Sequence, residues 1–200
     1  MVKININLFA EGEVVYTDGG FLAEFAWLLV VLPFIAALVI TFLGKSLPLK
    51  GAEIALGTIG IIFFYSLALM YLHITEGVAN EFFINVGSIG QFDIEFGWVV
   101  DGLSIMMYFV VGLVALLVFI YATNYMEGEI RYTFFFTSLT LFAGSMLVLV
   151  SSPTLIQILI GWELVGVCSY LLIGHYWEVK DNSSAAMKAF ITNKIADVGL

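Results

Sequence analysis

Apolar residues fall in long uninterrupted blocks along this chain, and the polar residues gather between them. Phe25 to Leu43 carries no charged side chain and is punctuated only by Pro33; Ile54 to Leu72 is a second such block and Gly102 to Met126 a third. The uncharged stretch after Arg131 is too long for one helix, and Ser151-Ser152-Pro153 divides it into Tyr132 to Val150 and Thr154 to Gly174. Each block matches the roughly 20 helical residues needed to cross a hydrocarbon core of about 30 Å. A proline inside the first is tolerated in membrane helices when neighbours satisfy the freed carbonyl, and Pro153 suits the first turn of the fifth. Ala185 to Leu200 begins a sixth helix that these residues do not carry across, so the chain is expected to be the N-terminal portion of a longer protein.

Two segments break the pattern. Gln91-Phe92-Asp93-Ile94-Glu95-Phe96 alternates polar and apolar with period two, the signature of a half-buried strand. Phe82 to Val86 supplies a partner and Gly87-Ser88-Ile89-Gly90 a connection, so a β-hairpin on the membrane surface is expected, with an irregular loop as the alternative. Residues 1–22 place Lys3, Glu11, Glu13 and Asp18 around Ile4, Ile6 and Leu8, without the compact apolar core of a signal peptide. The expected organisation is therefore a lead-in over 1–22, two transmembrane helices over 23–73, a hairpin-bearing loop over 74–101, and transmembrane helices three to six over 102–200. The fold class is an all-α polytopic transmembrane helix bundle, about five complete spans plus the start of a sixth, with a small extracytoplasmic β-hairpin.

Composition sharpens this. Of the 200 residues 62% are hydrophobic and 12% charged, against about half and about a quarter in soluble domains, which excludes a soluble protein. The net charge of -9 comes from acids mostly in the loops and the N-terminal segment, while the seven basic residues are scattered, so nucleic acid is not an expected partner. Lys45 and Lys50 follow the first span, Arg131 the third, and Lys180 and Lys188 the fifth, whereas the other side holds only Lys3. The positive-inside rule then places the N-terminus outside the cell membrane. Cys168 is the only cysteine, which rules out an intrachain disulfide, a four-cysteine iron–sulfur site and a zinc cluster, and no GxGxxG or GxxxxGK[ST] sequence is present. No cofactor is expected in this chain.

Charge inside the apolar blocks is the candidate chemistry. Glu163 is the tenth of the 21 residues from Thr154 to Gly174. A carboxylate near the bilayer centre is costly enough that it must face protein or water. Such a group either relays protons, its ionisation balanced between desolvation and a nearby cation, or stays protonated and bonds a neighbouring helix. The sixth helix supplies Lys188, Lys194 and Asp197. Lys194 and Asp197 lie three residues apart, on one face. At about 1.5 Å per residue Asp197 lies roughly 14 Å beyond Lys188, and Glu163 about 16 Å from Gly174. Antiparallel neighbours joined by a short loop would thus bring Glu163, Lys194 and Asp197 to one depth. Lys194 and Asp197 form either a static ion pair or part of a relay. Lys188 suits the interface, where lysine snorkels, and His175 just past the fifth helix could shuttle protons near neutral pH; both are candidates for proton uptake. His73 has less claim. Asp101 fits simple stabilisation of a helix N-terminus, and Gly161, Gly166, Cys168 and Ser169 are small residues suited to close helix contact.

GWELVGVCSYLLIG at 161–174 followed by AAMKAFITNKIADVGL at 185–200 resembles the fifth and sixth helices of the antiporter-like L subunit (chain 5) family of NADH-quinone oxidoreductase, respiratory complex I. DGLS at Asp101 to Ser104, Tyr125-Met126 and Phe135-Phe136 fit as well, and the likeness covers about Gly97 to Leu200. The resemblance implies a proton-translocating subunit in the bacterial inner membrane, bound to other membrane subunits, including neighbouring antiporter-like ones. NADH, FMN, iron–sulfur clusters and quinone would be handled by other chains. It also implies that Glu163 is the family's helix-five glutamate, which pairs with a lysine on a later, broken helix beyond Leu200. Lys194 stands where Arg is common, keeping the charge without the planar fork, and His175 stands where an aromatic residue is common. The corresponding large chain of the multisubunit sodium/proton antiporters shares the helix-five motif and is the alternative. A non-transporting fragment or scaffold is the alternative of another class.

Overall fold

The structure is a computed structural model and describes residues 21–89 and 92–197. A helical turn at Phe21–Glu24 leads into α1 (Trp27–Leu43), followed by α2 (Ala52–Glu76), strands β1 (Asn80–Ile89) and β2 (Phe92–Val100), α3 (Gly102–Tyr125), α4 (Tyr132–Ser151), α5 (Leu155–Ile173) and α6 (Lys180–Asp197). The first five long helices are apolar and long enough to cross a membrane, as the sequence predicts. This is a multi-pass membrane protein. The expected lead-in falls almost wholly on residues outside those described, as does the end of the sixth helix.

Each boundary has a local cause. Gly51 and Gly77, with φ of +98° and +66°, bracket α2 in the left-handed conformation that glycine adopts without penalty, and the Gly77 N–H closes onto the His73 carbonyl at 3.0 Å. Asp101 caps α3 by accepting from Ser104 N–H at 2.7 Å, consistent with its expected helix-stabilising role. His73 donates from Nδ1 to the Val78 carbonyl at 2.7 Å. Pro153 is not in the first turn of α5: Thr154 is the cap, and Leu155 is the first helical residue. The sixth helix begins at Lys180 rather than Ala185, with Asp181 in its first turn, where a negative charge meets the positive end of the helix dipole.

The bundle is organised around α4, which packs against α1 on one side and α5 on the other, while α2 pairs with α3. Its buried face mixes large side chains, Tyr132, Phe136, Leu139 and Leu147, with small or hydroxylated ones, Ser138, Thr140, Ala143, Gly144, Ser145 and Ser151. The hydroxyls bond back to carbonyls of their own helix, Ser138 to Phe134 at 2.9 Å and Thr140 to Phe136 at 2.7 Å, so neither is stranded. Gly144 lies against Pro33 of α1, and Gly161 of α5 runs so close to α4 that an added Cβ would meet the Leu149 backbone at 2.9 Å. Small residues permit such approach in membranes, where packing rather than hydrophobicity holds helices together.

The hairpin is antiparallel, and its strands run further than the sequence suggests. Gly87, Ser88 and Ile89 belong to β1 and pair with Ile94, Asp93 and Phe92, instead of forming the connection. A one-residue shift between Asn85 and Gly87 makes Val86 a bulge, which restores pairing and carries the strand on. The loops holding Lys50, Arg131 and Glu178 meet at one end of the bundle, through Thr133 donating to the Lys50 carbonyl at 3.0 Å and the Arg131–Glu178 contact. The hairpin and the α4–α5 junction share the other end, where Thr154 donates to the Glu95 carbonyl at 3.1 Å.

Candidate functional site

Glu163 lies near the middle of α5, whose other residues are apolar, small or amide-bearing. After Ile173 the chain turns through a short 3-10 segment, Gly174–Tyr176, and reverses into α6. Two contacts set that return. A Cβ on Gly174 would touch the Cβ of buried Ala186 at 3.4 Å, and the Tyr170 and Phe190 rings lie 5.4 Å apart. The antiparallel lie carries the far part of α6 to the depth of Glu163.

There Lys194 and Glu163 form an ion pair between the two helices. About a third of each side chain is exposed on this chain. The ammonium also lies 5.3 Å from the centre of the Phe190 ring, a cation–π contact on its own helix. Lys194 therefore reaches across to α5 and does not take Asp197, the partner its spacing suggests. Asp197 accepts instead from the Trp162 indole N–H at 2.9 Å. The expected depth layer of Glu163, Lys194 and Asp197 is present, but it is built from two cross-helix contacts side by side.

The other sequence candidates stand apart. His175 is 4% exposed, its ring against Phe134, Phe135 and Tyr176 at 4.8 to 6.4 Å between centroids. Its Nδ1 makes no hydrogen bond among the described residues. Lys188 is exposed, on a groove along α6 shared with Lys180, Ser183 and Ser184. His175 is about 18 Å from Glu163 along the helix and Lys188 about 9 Å from Lys194. Cys168 is buried with its sulfur 3.7 Å from the Ser145 hydroxyl, at the α4–α5 contact, whereas Gly166 faces open space.

Three supporting residues, Gln157, Arg131 and Trp162, lie outside the sequence candidates for proton handling. Gln157, one turn into α5, accepts from Gly97 N–H at 2.9 Å and donates to the Gly97 carbonyl at 2.8 Å, so its amide pairs with β2 as another strand would. A glutamine in an apolar helix is the available clue. One guanidinium nitrogen of Arg131 donates to both carboxylate oxygens of Glu178, at 2.7 and 2.5 Å, while the guanidinium lies 4.5 Å over Trp177. That bond to Arg131 holds the Glu178 carboxyl below its ordinary value of 4.5. Trp162 reads as a packing residue until α6 is placed beside it.

Comparison with known proteins gives a consistent family. The family described as NADH-Ubiquinone oxidoreductase (complex I), chain 5 N-terminus, matches residues 87–136, and NADH:quinone oxidoreductase/Mrp antiporter, TM, matches residues 152–200. The chain is 40% identical over 187 residues to NAD(P)H-quinone oxidoreductase chain 5 of Picosynechococcus sp., covering 90% of this chain and 28% of that protein. It is 41% identical over 186 residues to the chain 5 protein of Synechocystis sp., covering 90% and 27%. A chloroplastic subunit 5 from Anthoceros angustus is 50% identical over 113 residues, 56% of this chain and 15% of its own length. The chain thus spans little more than a quarter of the first two, and a likeness over 90% of this chain extends upstream of the Gly97 to Leu200 stretch that carries the sequence motifs. Among solved structures, a chain of the membrane-bound sulfane sulfur reductase, an archaeal respiratory membrane complex, shares the fold with a TM-score of 0.71 at 14% identity, over 86% of this chain and 34% of its own.

Proposed function

We propose that this chain belongs to the chain 5 family of NAD(P)H-quinone oxidoreductases, corresponds to the N-terminal portion of its members, and translocates protons as a membrane component of such an enzyme. The carrying observation is the Glu163–Lys194 ion pair set between α5, which is apolar enough to cross a membrane, and its antiparallel neighbour α6. In such a pair the proton and the opposing charge are coupled. A proton taken up by Glu163 releases Lys194, and withdrawal of Lys194 leaves the glutamate charge unbalanced in a poorly solvated place. The pair therefore exchanges a proton when a neighbouring charge moves. Asp197 is the second carboxylate of the unit, and Lys188 and His175 are candidates for uptake from the end where the basic loops gather.

Electron transfer belongs, in this reading, to partner subunits that handle NADH, FMN, iron–sulfur clusters and quinone, and this chain contacts other membrane subunits, antiporter-like neighbours among them. Residues 102–200 begin the antiporter-like domain. The basic loops face the cytoplasm of a bacterial inner membrane, and the N-terminus and hairpin face outward. The family matched at residues 152–200 is shared with sodium/proton antiporters, but the match at 87–136 and the chain 5 relatives favour the oxidoreductase.

The test is Glu163→Gln in the full-length chain within its complex, with proton pumping measured in membrane vesicles. Pumping driven by NAD(P)H oxidation falls while complex abundance stays normal. Wild-type pumping at normal abundance overturns the assignment. Cation exchange that depends on Glu163 but not on NAD(P)H oxidation transfers it to the antiporter reading.

A further inference from the structure

Trp162 and Glu163 are consecutive on α5, and each grips one of two residues that lie three apart on α6. Glu163 pairs with Lys194, and the Trp162 indole N–H donates to Asp197 at 2.9 Å. Residues three apart on a helix are natural partners for each other, so Lys194 and Asp197 would otherwise be free to pair within α6. That arrangement would withdraw the cation from Glu163. We propose that Trp162 is a positioning residue for the proton-exchange pair: its indole N–H anchors Asp197 to α5 and thereby leaves Lys194 to Glu163.

The chemistry suits this role. Indole N–H is a donor only, so its partner must be an acceptor, and the ionised carboxylate is the strongest acceptor within reach. A ring of that size with a single donor fixes direction without bringing a charge of its own, so it orders Asp197 without competing for Lys194. Trp162 is 48% exposed on this chain, so packing within these helices does not by itself explain a tryptophan at that position.

The proposal rests on the proton-translocation reading, and the experiment separates the two. In the complex with the full-length chain, Trp162→Phe removes the donor, and benzothienylalanine at position 162 removes it while keeping the ring volume. Both are expected to lower pumping severalfold at normal complex abundance and to shift its pH profile, whereas loss of packing alone would lower the amplitude at an unchanged profile. Added to Asp197→Ala, either change produces no further loss, since the anchored group is already gone. Wild-type pumping with benzothienylalanine, beside a failing Glu163→Gln, overturns the Trp162 proposal alone. So do losses that multiply in the double variant. Wild-type pumping in Glu163→Gln overturns the underlying reading, and the positioning role with it.

Discussion

Lys194 of α6 pairs with Glu163 of α5, although Asp197 lies three residues away on its own helix. The cross-helix partner wins because α5 and α6 are held antiparallel at the Gly174 turn and by the Tyr170–Phe190 contact, which aims Lys194 at the middle of α5. Removing one member of such a pair leaves the other charge uncompensated. Lys194→Ala should therefore lower complex stability by up to about 3 kcal/mol, less than for a fully enclosed pair because each side chain is a third exposed. Adding Glu163→Gln should restore abundance but not pumping. Thermal inactivation and complex yield, measured together with pumping, check both halves.

Gln157 offers a test at the other end of the bundle. Replacing it by Leu strands the N–H and C=O of Gly97, which its amide satisfies at 2.9 and 2.8 Å. Each unpaired group costs about 1–3 kcal/mol where water does not reach it. The hairpin should then loosen from α5, seen as faster proteolysis within residues 80–100 in sealed vesicles exposing that side. Equal protection in the variant and the parent would show that the amide clamp is not what holds the hairpin.

Gly161 and Gly166 sit on one helix with opposite expectations. A side chain at Gly161 meets the Leu149 backbone at 2.9 Å, while nothing lies within 4 Å of a Cβ at Gly166. Gly161→Val should cost about 1–3 kcal/mol through overpacking. Gly166→Ala should be neutral or slightly stabilising, since it removes backbone freedom from the unfolded helix. Complex yield after thermal challenge distinguishes the two.

The Arg131–Glu178 clamp gives a pH dependence of definite sign. The bond to Arg131 holds the Glu178 carboxyl below its ordinary 4.5. A carboxylate whose value is depressed on folding contributes stability above its unfolded value and loses it as pH falls through the folded one. The clamp should therefore hold without change from neutral pH down to the ordinary glutamate range and open only below it. Trp177, stacked under the guanidinium at 4.5 Å, is the natural fluorescent reporter. The acid step should vanish in Glu178→Gln, and a step near neutrality would assign the transition to another group.

The sequence by itself determined the solvent, the spans and the identity of the ionisable residues. Blocks such as Phe25 to Leu43 and Gly102 to Met126 exceed what a water-soluble core needs and match a bilayer, and Glu163 stands out because a carboxylate is expensive there. Period-two alternation at 91–96 discloses the hairpin but not the place of its connection, because a bulge at Val86 is a property of the paired strands and not of either segment. Partner choice was likewise decided by the tertiary structure. Lys194 with Asp197 is what spacing along one helix suggests, and Lys194 with Glu163, Asp197 with Trp162 and Gln157 with Gly97 are contacts between separate elements. Residue types and periodicity state what each segment can bury or expose. Which donor meets which acceptor depends on how far one helix slides and rotates against the next, and that is set by side chains distributed over the whole bundle.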